Sequence, residues 1–254
     1  MIPRVLNQTW KTKDIPSQWT GSYNSCQTVL ASYEKKLWTD DEMEQFVKTN
    51  YPEIYDTYMG YTYHIQRCDA FRYMLMYKNG GIYFDLDIAC KASIEPLLNN
   101  DIVLARSTNV ESYLTNSIIM AVPGHPFFRY VIDKLPQYKD KYSMLGKHLH
   151  VMNSTGPMFI TEMYNQYVKE NGEIPRIYIM SKEEFGGDCN VCSTDRCAGG
   201  KYFTHVTGNS WHAWDSTLYN AIMCNYIWII VFIMLAVVIY MYVRKRSPKS
   251  RYRR

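Results

Sequence analysis

The sequence predicts an α/β domain followed by one C-terminal transmembrane helix, and three observations carry that prediction. Strand-like runs alternate with helical patterns along most of the chain, the order expected of a mixed α/β sheet. A glycine pair, Gly80-Gly81, joins a helical pattern to an apolar β-prone run that carries two carboxylates, Asp85 and Asp87. Finally, residues 226–243 form an uncharged apolar run directly before Arg244-Lys245-Arg246. A length of 254 residues suits one such domain with a sizeable core.

Taken in order, residues 2–10 read as a first strand ending in Gln8 and Trp10. Residues 17–31 read as a helix and 33–39 as a strand. Asp40-Asp41-Glu42 then place acids at the start of a helix through Lys48, where the helix dipole favours them. A short helix follows over 52–61. Residues 64–78 are patterned as an amphipathic helix that Asn79-Gly80-Gly81 stops, with Phe71, Met74 and Leu75 as core residues. Asp69 and Arg72 lie three apart on one face of it, as a surface ion pair or as groups aimed at a site.

The strand expected over residues 80–88 sets Asp85 and Asp87 at alternate positions, so both carboxylates should project from one side of its end. Two such oxygen ligands suit Mg²⁺ or Mn²⁺, ions usually held by one or two carboxylates together with substrate phosphates. A turn and short helix are expected over 92–98 and a strand over 101–105. Another strand starts near Asn116 and ends in the turn Gly124-His125-Pro126, which His125 shapes. A helix over 127–135 precedes a Lys-rich polar segment with no assignment. Thr155-Gly156-Pro157 opens a helix to about Glu170, with proline in its first turn. After a strand at 177–180 and a cysteine-bearing loop, residues 202–211 close the domain with His205 and Trp211.

Asp69-x-x-Arg72 followed by Tyr77-x-x-Gly80-Gly81-x-Tyr83-x-Asp85-x-Asp87 resembles the signature of the DxD-type sugar transferases of glycosyltransferase family 32. That family includes fungal α-mannosyltransferases of glycoprotein outer chains and of inositol-phosphoceramide. The resemblance implies a GT-A-type, Rossmann-like nucleotide-sugar-binding domain over 1–218, with a mixed sheet. It also implies that Gln8 and Trp10 lie against the donor's base and ribose, although Asn7 stands where histidine is common. Asp69, Arg72 and Asn116 would face the donor sugar, and Gly81 belongs to the same donor site. Asp87 would bind Mn²⁺ or Mg²⁺, Asp85 would reach it directly or through water, and Asp85, Asp87 and Arg72 would carry catalysis.

His205-x-x-Gly208-x-x-Trp211 is similar to the closing element of related metal-dependent transferases. This implies His205 as the third metal ligand, with His212 the runner-up, and Trp211 folded over the diphosphate. The implied donor is GDP-mannose first, or a UDP-hexose, and the acceptor a glycolipid or glycan. Two rivals stand beside this reading. A dehalogenase-type phosphatase uses Asp-x-Asp as nucleophile and acid, but expects Thr or Val where this chain has Ile88-Ala89. The other is a non-catalytic membrane protein with a decayed transferase fold.

The net charge of +4 hides an asymmetry: residues 244–254 hold seven Lys or Arg and no acid, which leaves −3 for the rest. A mildly acidic body with a basic tail does not fit a nucleic-acid binder. The 18-residue run 226–243 spans about 27 Å as a helix, close to the hydrocarbon thickness of a bilayer. Aromatic Tyr226, Trp228, Tyr240 and Tyr242 lie near its ends, and 219–243 is the expected span, with 244–254 as a basic tail.

The tail favours a cytosolic C-terminus and a lumenal body, whereas the lack of an apolar N-terminal signal favours tail-anchored insertion with a cytosolic body. The anchor is expected in an ER/Golgi-type or viral membrane. Cys189, Cys192 and Cys197 fit a disulfide-stapled loop, a zinc site or free thiols. Asn7-Gln-Thr9 and Asn153-Ser-Thr155 match glycosylation sequons.

Overall fold

A computed structural model describes residues 1–107, 113–186, 192, 199–206, 211 and 213–246, except the side chain of Arg246. The first half runs β1 (Val5–Thr9), α1 (Ser17–Val29), β2 (Glu34–Trp38), α2 (Asp40–Asn50), α3 (Tyr55–Met59), α4 (His64–Asn79), β3 (Gly81–Phe84) and β4 (Ile88–Cys90). It continues with β5 (Ile102–Arg106), β6 (Leu114–Ala121), α5 (Pro126–Tyr138), α6 (Lys147–Ser154), α7 (Pro157–Asn171), β7 (Ile177–Met180), α8 (Lys182–Phe185), β8 (Phe203–His205) and α9 (Trp214–Arg246).

Six strands form a mixed sheet in the order β2-β1-β3-β6-β5-β7, in which β6 runs against its neighbours β3 and β5. The other pairings are parallel. All eight residues of β6 are buried, as expected of a strand covered on both faces. On one face α4 packs with α2, α3, α5 and α7 around Trp38, Phe71, Met74, Phe127 and Phe159. The other face is covered by α1, α8 and the small β4–β8 sheet, around Leu6, Ile82, Phe84, Ile88 and Phe203.

Local chemistry sets the boundaries. Thr39 caps α2 by accepting from the Glu42 amide (3.3 Å), while the Glu42 carboxylate accepts from the Thr39 amide (2.8 Å). Gly80 ends α4 at φ +64°, a backbone conformation that disfavours side chains.

Two expectations need correction. α4 is not amphipathic along its length: from Asp69 to Met76 it is buried on every side, because helices cover the face turned away from the sheet. The strand after the glycine pair stops at Phe84, and Asp85 to Asp87 form a turn through which the chain leaves the main sheet for β4. The two carboxylates therefore do not alternate on one strand, and each can face a different partner. In place of the unassigned Lys-rich segment stand a one-turn 3₁₀ helix, Ser143–Leu145, and then α6.

The cysteines at 26 and 90, scattered in sequence, meet in a disulfide that ties α1 to β4. Cys192 pairs with Cys224 of α9, and Cys68 is free. Cys189 and Cys197 lie outside the described residues. Trp214–Lys245 is long and apolar enough to cross a membrane, with a mean hydropathy of 2.7 in its best window, none of it buried against the domain.

Candidate active site

Arg72 is the hub of the site. It rises from α4, whose glycine stop leads directly into β3, so helix and strand end side by side with Arg72 near Asp85. Its Nη2 lies 3.2 Å from Asp69 Oδ1 and 3.1 Å from Asp85 Oδ1. Nη1 donates to Asp85 Oδ2 (3.2 Å) and to the Asn116 carbonyl (2.6 Å), and the guanidinium lies 4.6 Å from the Tyr83 ring centre. This fork-to-carboxylate geometry uses the planarity of arginine.

Each carboxylate is oriented from a further side. Asp69 accepts from Asn116 Nδ2 (2.9 Å) and from Thr155 Oγ1 (3.0 Å). Asp85 accepts from the Tyr83 hydroxyl (2.8 Å), which also pairs with Thr9 Oγ1 (2.9 Å) at the end of β1. Exposure separates the roles: the Arg72 side chain is 3% accessible and that of Asp69 5%, but that of Asp85 reaches 30%. Asp85 thus presents to solvent, and Arg72 works from beneath it.

Burial pushes the Asp85 carboxyl up to about 6, with Arg72 opposing the rise and Asp87 adding to it. Burial likewise raises Asp69, against Arg72, Thr155 and Asn116. For Arg72, burial works against the charge, yet Asp85, Tyr83 and Asp69 together keep it protonated.

Asp87 belongs to a second cluster. β4 pairs with β8 so that Ile88 faces His205, which sets His205 Nε2 3.4 Å from Asp87 Oδ2. Asp87 Oδ1 is buried and has no hydrogen-bond partner among the described residues, a costly state for a carboxylate oxygen unless a ligand completes it. No ready-made group of three metal-ligating side chains exists among the described residues. An acid, a neighbouring histidine and an unsatisfied oxygen nevertheless fit an ion such as Mg²⁺ or Mn²⁺, which takes its remaining ligands from phosphates and water.

The expected site residues fall into four places. Asp69, Arg72, Asp85 and Asn116 form one hydrogen-bonded network, and Asp87 with His205 forms its neighbour. Gln8 is buried on β1 with Nε2 unpartnered, and Trp10 follows half-buried just past the strand end, its amide donating to the Trp38 carbonyl (3.0 Å). Gly81 (φ +93°) brings β3 against β1: a Cβ there would sit 2.9 Å from the Val5 carbonyl oxygen. Trp211 stacks on His148 of α6, with centroids 5.5 Å apart and planes 12° from parallel. His212 lies outside the described residues.

Sequence reasoning gave Tyr83 no role beyond its place in the signature, passed over Tyr73, and read Thr155 chiefly as opening a helix. Tyr73 donates to the Thr155 carbonyl (2.7 Å) and accepts from Asn116 Nδ2 (3.1 Å), so it fixes both residues that hold Asp69. Their shared signal was position: Tyr73 lies one helical turn beyond Asp69, and Tyr83 is two residues before Asp85. Asn7 is buried, accepting from the Trp38 indole (2.9 Å) and donating to the Ile82 carbonyl (3.2 Å), so its side chain holds β1, β2 and β3 together. In the other sequon, Ser154 and Thr155 are wholly buried.

Comparison with known proteins places this geometry. The family profile described as "Glycosyltransferase sugar-binding region containing DXD motif" matches residues 16–104. Inositol phosphoceramide mannosyltransferase 3 of Schizosaccharomyces pombe is 34% identical over 85% of this chain and 57% of its own length. Inositol phosphoceramide mannosyltransferase 1 of the same yeast is 33% identical over 92% of this chain and 70% of its own. The chain thus spans little more than half of the first of these relatives. Among solved structures, the PaToxG glycosyltransferase aligns with a TM-score of 0.48 at 16% identity, over 66% of this chain and 70% of that one.

Proposed function

Since the chain belongs to the DXD-containing glycosyltransferases, together with the inositol phosphoceramide mannosyltransferases it matches, we propose that it transfers a hexose from a nucleotide sugar to a hydroxyl of a glycolipid or glycoprotein glycan at a membrane. GDP-mannose is the first donor and UDP-glucose or UDP-galactose the next. The observation that carries this reading is the paired arrangement of Asp85, held by Arg72 and Tyr83, and Asp87, with one oxygen buried and unsatisfied.

Asp87 and His205, with Asp85, would hold Mn²⁺ or Mg²⁺, which when bound supplies a Lewis acid against the charge that builds on the leaving diphosphate. The protein's own groups do the rest. Arg72 keeps Asp69 and Asp85 at fixed separation and neutralises part of their charge. Asp69, locked by Asn116 and Thr155, offers an oriented acceptor for donor-sugar hydroxyls. Gln8 and Trp10 supply an amide and an aromatic face to the base and ribose. The family likeness implies retention of anomeric configuration by a same-face return, in which the departing phosphate takes the acceptor's proton. Asp69 and Asp85 both engage Arg72, so neither is a free base.

The two disulfides support a body in an oxidising compartment, and the basic residues after 243 support a cytosolic tail. Together they favour the lumenal orientation over tail-anchored insertion.

The test uses the full chain in detergent with Mn²⁺ and a panel of sugar nucleotides, measuring nucleotide release. Asp87→Asn should reduce release about 10²–10³-fold, the usual worth of one such electrostatic group. Equal release from both proteins would remove the role of Asp87. Failure of every donor, even with membrane glycolipids present, would favour the decayed-fold reading.

A further inference from the structure

The turn between α5 and α6, residues 139–146, is fastened to the first turn of α9. The His148 amide donates to Asp215 Oδ2 (2.6 Å), and His148 Nδ1 pairs with Ser216 Oγ (3.1 Å). The His148 ring lies 4.8 Å from that of Tyr219, and Gly146 packs so closely on Asp215 that a Cβ would come within 2.9 Å of its carboxylate. Held there, the turn displays apolar groups: Met144 is 96% exposed, and Leu145 and Tyr142 are more than two-fifths exposed. Tyr142 has φ +61°, a left-handed conformation that a tyrosine adopts only when its surroundings impose it. On α9, Trp214 and Leu218 are exposed as well. Lys139 and Lys141 lie in the turn, and Lys147 follows it.

The depth of this patch follows from α9. Between Asp215 and Arg244 lie 28 uncharged residues, Ser216 to Val243, which as a helix span about 42 Å. That is the thickness of a hydrocarbon core plus both headgroup layers. Taken as the whole crossing and laid along the bilayer normal, this stretch sets Asp215 at the outer edge of one headgroup layer, and the turn bound to it at the same level. Tyrosine, tryptophan and lysine around exposed Met and Leu are the side chains that favour this zone.

We propose that Tyr142, Met144 and Leu145, with Trp214 and Leu218, form a lipid-contacting foot that enters the headgroup layer and fixes the tilt of the catalytic domain on the bilayer. The inference rests on the membrane-anchored reading above and adds to it a second point of contact. The eight residues of α6 lead from the foot to Thr155, the residue that donates to Asp69. At about 1.5 Å per residue, this sets the sugar site about 12 Å from the foot along that helix. Such a distance suits an acceptor hydroxyl presented by the membrane surface.

The test reconstitutes the full chain in phosphatidylcholine vesicles containing a photoactivatable phosphatidylcholine with its diazirine near the headgroup, followed by peptide mapping. The wild type should be labelled within 139–147 as strongly as at the start of α9. The doubly substituted Met144→Asp, Leu145→Asp protein, altered only at exposed positions, should lose label there by about tenfold while α9 keeps its own. A turn labelled no more than α2 would overturn the foot, as would a turn that cross-links to a second copy of the chain instead of lipid. Vesicle flotation distinguishes the failures. A chain that floats with an unlabelled turn refutes the foot alone, and a chain that does not float refutes the anchored reading and the foot with it.

Discussion

Tyr83 shows how much of this site depends on a side chain outside the Asp-x-Asp pair. Its hydroxyl donates to Asp85 Oδ1, and this bond partly offsets the rise that burial imposes on the carboxyl. Without a metal ion Asp85 takes up a proton as pH falls through about 6, so capture of Mn²⁺, which needs its charge, should weaken below that point. Stability moves the other way: the folded form binds this proton more tightly than the unfolded chain, so this group adds stability as pH falls from about 6 toward the ordinary carboxylate range. Tyr83→Phe removes one hydrogen bond to the ionised form and should shift the acid limb of the pH–rate profile upward, at a cost of about 1–2 kcal/mol in stability. An unmoved limb would mean that the hydroxyl serves only to hold Thr9. The carboxylates and Arg72 were legible in the sequence because their spacing is fixed by the helix and the turn that follows. Thr155, more than eighty residues from Asp69, became visible as its partner only through the fold.

At the level of elements, the junction of α4 and β3 decides whether Arg72 and Asp85 meet. Gly80, at φ +64°, passes so close to the next turn that a Cβ would lie 2.6 Å from the Pro123 nitrogen and 2.8 Å from the Ala121 carbonyl oxygen, both backbone atoms. Gly80→Ala should cost about 1–3 kcal/mol for the backbone conformation alone, and more for the clash. Gly124→Ala is the control. Its φ is also positive (+71°), but its Cβ would meet open space, so its melting temperature should fall less. Equal losses would show that strain alone, and not close approach, fixes the junction. Helix, double glycine and strand were readable because glycine punctuates sharply. The end of β3 was not, since Leu86 and Ile88 continue the apolar pattern although Leu86 packs in a turn, accepting from Ser22. α6 escaped because polar and histidine-rich sequence gives little periodic signal, and its helix is stabilised by tertiary contacts to α7 and α9.

For the molecule as a whole, the alternation of elements disclosed a mixed sheet, and the long apolar run disclosed a helix long and apolar enough to cross a membrane. The cysteines were opaque because pairing across 64 residues depends on topology, not spacing. If the body faces an oxidising lumen, mild alkylation before reduction should block only Cys68 and any thiol at 189 or 197. Cys26, Cys90, Cys192 and Cys224 should become available only after reduction, as mass mapping of sealed, then opened, microsomes would detect. Reaction of those four thiols before reduction would instead place the body in the cytosol.

The bond from Cys192 to Cys224 makes α9 part of the domain's architecture, not a detachable stalk. It links Cys192, which precedes His205 in the sequence, to a residue about three turns into the long apolar helix. A secreted version trimmed before residue 224 would leave Cys192 with an orphan sulfhydryl, and mispaired dimers should follow on purification. Cys192→Ser in the trimmed protein should abolish those dimers. The shortest form that preserves the native bond therefore carries the first turns of α9 along with it.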